Sequence, residues 1–134
     1  MDVRILTQAN FFLQISLMGM LFFAVYLARN KKLTRHCTVM RIIVPVQIAA
    51  IAVVMLPSFL GYVTSGVPVT FFYIEMVSHG VLGLSVVVIW IFVNLAQTGL
   101  IRVRRRLLAP MRLALGLWLV SFAIGAHMYF TLWL

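Results

Sequence analysis

Acid is almost missing from this chain. Asp2 and Glu75 are its only carboxylic side chains among 134 residues. With so little acid there is no carboxylate pair for hydrolysis, and no nucleophile, base and orienting group stand together. Glycine-rich phosphate-binding spacings are also lacking, which removes the usual basis for nucleotide chemistry. Cysteine occurs once, at Cys37, so no disulfide forms within the chain. It stands beside His36, where a small residue at the membrane surface is a simpler reading than a reactive thiol.

Charge of either sign is absent over long stretches. Ile5–Ala28, Ile42–Ile74, Met76–Ile101 and Leu113–Leu134 contain none. The chain is 64% hydrophobic and 10% charged, which excludes a soluble globular domain. A helix needs about 20 mainly apolar residues to cross a hydrocarbon layer of ~30 Å. The stretch from Ile42 to Ile74 exceeds one ordinary span, and Val63–Pro68 (VTSGVP) punctuates it as a turn. Four spans are therefore predicted: Ala9–Ala28, Arg41–Tyr62, Phe71–Gln97 and Pro110–Trp133. Short connections make successive spans antiparallel. The expected fold is all-α, an up-down four-helix bundle forming one transmembrane domain over residues 1–134.

The charge that is present is basic, +9 in total. Arg29, Lys31, Lys32, Arg35 and Arg41 lie between spans one and two. Arg102, Arg104, Arg105 and Arg106 lie between spans three and four with Arg112 in the first turn of span four, and the connection between spans two and three has no charge. Short basic loops stay in the cytoplasm, so both clusters are expected inside the plasma membrane and both termini outside. The clusters suit topology and anionic lipid headgroups, and nucleic acid is not needed to explain them. The first span is not expected to be a cleaved signal peptide. Its apolar run is long, and most of its positive charge follows it.

Polar groups inside a bilayer are costly, so each is a functional candidate. His79 lies about seven residues, or ~10 Å, from the outer start of span three, and His127 is as far from the outer end of span four. Glu75 stands one turn from His79 on the same face, and Gln14 occupies the outer third of span one, one turn from Asn10. Two imidazoles at one depth on adjacent helices are the arrangement of a bis-histidine haem b site. His79 and His127 would hold the iron, and Glu75 and Gln14 would orient or tune them. Propionates at that side would meet Asn10, Tyr62, Tyr73 or the Thr64–Ser65 segment. The plainer reading is that these groups only hydrogen-bond across helices. On the inner side, His36, Gln47, Asn94 and Gln97 are secondary candidates, as helix-to-helix contacts or as the lining of a quinone pocket.

The segment Ala28–Leu56 (ARNKKLTRHCTVMRIIVPVQIAAIAVVML), Pro57 and Ser58, the run His79–Gly83, the second basic loop, and Trp118 with Gly125 carry a resemblance. Together they resemble a family of small four-helix membrane proteins of unknown function associated with haem-copper oxidases and similar to b-type membrane cytochromes. On that resemblance His36 and His79 map to family histidines. Where a further histidine is expected before the last helix, Arg104, Arg105, Arg106 and Met111 stand instead. His127 has no counterpart in the pattern.

The leading expectation is a membrane subunit that binds haem b, or assists haem handling, in a respiratory or electron-transfer complex such as a haem-copper oxidase. Electron transfer needs no acid or base from the protein, so catalysis of its own is not expected. One alternative is a cofactor-free accessory subunit stabilising a larger membrane complex. Another is a small proton- or cation-coupled transporter using Glu75.

Overall fold

The computed structural model of the protein describes residues 3–65, 70–102 and 106–133. Its elements are α1 (Val3–Arg29), α2 (Leu33–Ala50), a π-helical turn (Ile51–Met55), α3 (Leu56–Ser65), α4 (Thr70–Gln97) and α5 (Leu108–Trp133). The chain is all-α. Four stretches are long and apolar enough to cross a membrane: Ile5–Arg29, Leu33–Thr64, Phe72–Gln97 and Leu108–Leu132. The protein is thus a multi-pass membrane protein with the four spans expected. It divides into two units, Met1–Val67 and Pro68–Leu134, each a helical hairpin. Of the expected turn Val63–Pro68, Val63–Ser65 are still helical, and Gly66–Pro68 lie outside the described residues. Arg104 and Arg105 of the second basic cluster, and Leu134, also lie outside them.

In the first hairpin each helix shows a stripe at alternating three- and four-residue spacing. On α1 it runs through Asn10, Gln14, Leu17, Leu21 and Ala24, the last three buried. On α2 it runs through His36, Met40, Ile43, Gln47 and Ala50, with Ile43 and Ala50 buried. Such stripes pack two helices along their length. The turn closes α1 by backbone bonds from Lys31 to the Ala28 carbonyl and from Lys32 to the Leu27 carbonyl. Lys31 takes the left-handed conformation there (φ 59°), where glycine is usual.

Helix α2 begins at Leu33, ahead of the expected Arg41. Hydropathy marks where a helix enters hydrocarbon, whereas the backbone ladder continues into the interface. Arg35 and Arg41 are exposed on that extension while His36 stays on the packed stripe. Further on, Pro57 has no N–H for an i→i−4 bond. Just before it the ladder widens, and the Leu56 N–H reaches the Ile51 carbonyl. The added residue re-phases the stripe. Beyond the turn, Phe59 and Tyr62 are half-buried while Ser58 and Gly61 are exposed.

The second hairpin pairs α4 and α5 antiparallel, around buried Val86, Val93, Trp118 and Ser121. Pro110 sits in the first turn of α5, where a missing N–H costs nothing. The chain leaves α4 through Gly99, whose φ of 80° suits glycine alone without strain.

Candidate functional site

The expected outer cluster is built on the second hairpin. His79 projects from α4 against the backbone of α5, and its Nδ1 lies 2.8 Å from the Ser121 carbonyl oxygen. A carbonyl only accepts, so Nδ1 carries the proton and Nε2 is left with its lone pair. Ser121 answers in the opposite direction, its hydroxyl donating to the His79 carbonyl at 3.2 Å. Ser121 Oγ is also 3.2 Å from His79 Nδ1. Ser121 is 5% exposed. The two residues therefore form a reciprocal latch between the helices.

Room for the ring comes from Gly125, one turn along α5 from Ser121. A Cβ at position 125 would stand 2.9 Å from His79 Cε1, closer than packed atoms tolerate, and a tight 3.2 Å from Nδ1. Gly83, one turn from His79 on α4, faces Ser121 in the same way but with ordinary clearance, 3.7 Å to Oγ. Ser121-x-x-x-Gly125 is a small-xxx-small spacing of the kind that lets membrane helices approach closely. That spacing is the sequence signal for Ser121.

His127 does something different. Its Nδ1 pairs with Glu75 Oε1 at 3.0 Å, the two side chains being 59% and 17% exposed. This pair bridges α5 to α4 one turn from the His79 latch. The two imidazoles consequently do not share a level: His127 stands opposite Glu75, and His79 stands opposite Ser121 and Gly125. Treating both as about seven residues from a span end hid the offset: His79 is nine residues from Thr70 at the start of α4, whereas His127 is six from Trp133 at the end of α5.

In the first hairpin, His36 repeats the carbonyl contact. Its Nδ1 lies 2.8 Å from the Ala24 carbonyl oxygen on α1. Ala24 is fully buried, and its small side chain lets the ring reach the backbone. The amides divide. Asn94 donates to the Trp90 carbonyl of its own helix at 3.0 Å. Gln97 is exposed at the end of α4. Asn10, Gln14 and Gln47 lie on the packed stripes of the first hairpin, and each keeps one buried polar atom without a hydrogen-bond partner among the described residues. Cys37 is a free, half-buried thiol.

Among the described residues, no group of three or more His, Cys, Asp or Glu side chains is placed to hold a metal ion. A histidine that ligates iron commonly has its second ring nitrogen bonded to a carbonyl or carboxylate, and His36, His79 and His127 each have such a partner. The same bonds are what a purely structural histidine makes. No protein-family model, curated protein or solved structure matches the chain.

Proposed function

We propose that this chain is a small accessory subunit that packs into a larger membrane complex and carries no haem of its own. The observation that supports this reading is how the histidines are used. Each spends one ring nitrogen on the opposite helix of its own hairpin: His36 on Ala24, His79 on Ser121, His127 on Glu75. Interhelical bonds of this kind contribute about 0.6–2 kcal/mol each in a bilayer. Three of them account for the histidines and Glu75 without a cofactor. Catalysis has no part in this role. The proposed setting is the plasma membrane, and the positive-inside bias of Arg29, Lys31, Lys32, Arg102 and Arg106 puts the basic turns on its cytoplasmic side.

A second reading keeps haem b, with His79 and His127 as ligands and Glu75 and Gln14 in support. It is favoured by the tautomer of His79, whose bare Nε2 is the nitrogen an iron would take. The offset of one turn between His79 and His127 weighs against a single porphyrin plane between them. Transport through Glu75 is a weaker reading, since that carboxylate is already paired with His127.

Absorption spectra of the detergent-purified, haem-supplied protein, oxidised and dithionite-reduced, test the choice. The expected result is no haem spectrum, with the protein migrating in solubilised native membranes as part of a larger species. A b-type reduced spectrum that disappears in both His79→Ala and His127→Ala would overturn the accessory reading and establish the second.

A further inference from the structure

The end of the first hairpin away from its basic turn holds a cluster that the histidine contacts leave unexplained. Asn10 and Gln14 lie one turn apart on the inner stripe of α1, and Gln47 lies on the inner stripe of α2. The His36–Ala24 bond fixes how the two antiparallel helices are matched. Counting back from it at 1.5 Å per residue puts Gln47 within ~2 Å of the level of Gln14 along the axis. Asn10 is ~6 Å further, level with the start of the π-helical turn at Ile51. Asn10 Oδ1, Gln14 Nε2 and Gln47 Oε1 are out of solvent, and none has a hydrogen-bond partner among the described residues.

Unpartnered amides in a hydrocarbon setting are unfavourable, and proteins rarely leave them so. Two are oxygens that need donors, and one is a nitrogen that needs an acceptor. A ligand complementary to them supplies two O–H donors and one oxygen acceptor. It must also reach a site inside a membrane span. The π turn lies level with Asn10, and π turns inside α-helices occur often at functional sites.

We propose that this end of the hairpin binds the dihydroxy aromatic headgroup of a membrane-dissolved quinol. One hydroxyl donates to Gln47 Oε1 and accepts from Gln14 Nε2, and the other donates to Asn10 Oδ1. Acceptors on two levels suit hydroxyls at opposite edges of one ring better than a single water. The site is independent of the accessory-subunit reading, and it adds a ligand to it without using any histidine.

The test is isothermal titration of the purified full-length protein in nanodiscs with decylubiquinol held reduced, and with its dimethyl ether, in which both hydroxyls are blocked. Saturable binding of the quinol, absent for the ether, is expected. Gln47→Leu and Gln14→Leu should each weaken it about tenfold or more, the loss of one hydrogen bond, with helicity by circular dichroism unchanged. Because the two variants lie on different helices, either one still reads the contact if the other fails to fold. No saturable binding, equal binding of the ether, or binding untouched by both substitutions would overturn the proposal.

Discussion

At the scale of single residues the second hairpin turns on one small side chain. The His79 ring is tied by Nδ1 to Ser121 and lies over Gly125, so it has no free rotation by which to escape a new methyl group. Gly80, its neighbour on α4, has nothing within 4 Å of where a Cβ would stand. Helix propensity favours alanine over glycine by about 1 kcal/mol in both places. At Gly80 that gain is unopposed, and Gly80→Ala should leave thermal stability in detergent unchanged or slightly raised. At Gly125 the clash with the ring outweighs it. Gly125→Ala should lower stability by about 1–3 kcal/mol, the usual range for overpacking. A melting curve for each variant decides it, and a Gly125→Ala protein as stable as the parent would mean that the latch is slack. His79, His127, Glu75 and Gln14 were visible in the sequence as costly polar groups. Their pairing was not, because the backbone carbonyls that take His79 at Ser121 and His36 at Ala24 carry no signal until the helices are set side by side.

The elements were legible where the rule is about length and polarity. Four apolar runs became helical stretches; the expected ends of the third and fourth fall within two residues of the helix ends observed, and the first agrees at its Arg29 end but begins six residues earlier than expected, at Val3. The second departs in two ways, each with a local cause. Its start lies in basic sequence that hydropathy scores as loop, and its middle contains the π turn that lies just ahead of Pro57. A regular 3.6-residue count from His36 through Gln47 would bring Ser58 and Gly61 to the inner face. The π turn brings Phe59 and Tyr62 there instead. Spin labels on single cysteines at 58 and 59, in a Cys37→Ser background, can read this phase through collision with lipid-dissolved oxygen. A label at 58 should be several-fold more accessible than one at 59. In Pro57→Ala the regular ladder is restored, residues beyond it rotate by about 100°, and the order should invert. If the order stays the same in Pro57→Ala, something other than the proline sets the turn.

Across the whole molecule the outcome depends on charge, because the spans themselves carry almost none. The described basic side chains Arg29, Lys31, Lys32, Arg35, Arg41, Arg102, Arg106 and Arg112 are all exposed, at or near the turn of one hairpin or the other. No basic residue occurs from Ile42 to Ile101. If all four stretches cross, the two hairpin turns fall on one side of the membrane, and the Lys and Arg of each turn predict that this side is the cytoplasm. The two turns therefore reinforce one orientation, and neither hairpin has to insert against its own charge bias. Fusions report it directly. Green fluorescent protein placed after Arg106 should fluoresce, and alkaline phosphatase at the C-terminus should be active, which requires export. The reverse pattern would place the basic turns outside. A mixed pattern would mean that one of the four apolar helices does not cross, and the hairpin containing it would then lie along the membrane surface, with its polar contacts in reach of water.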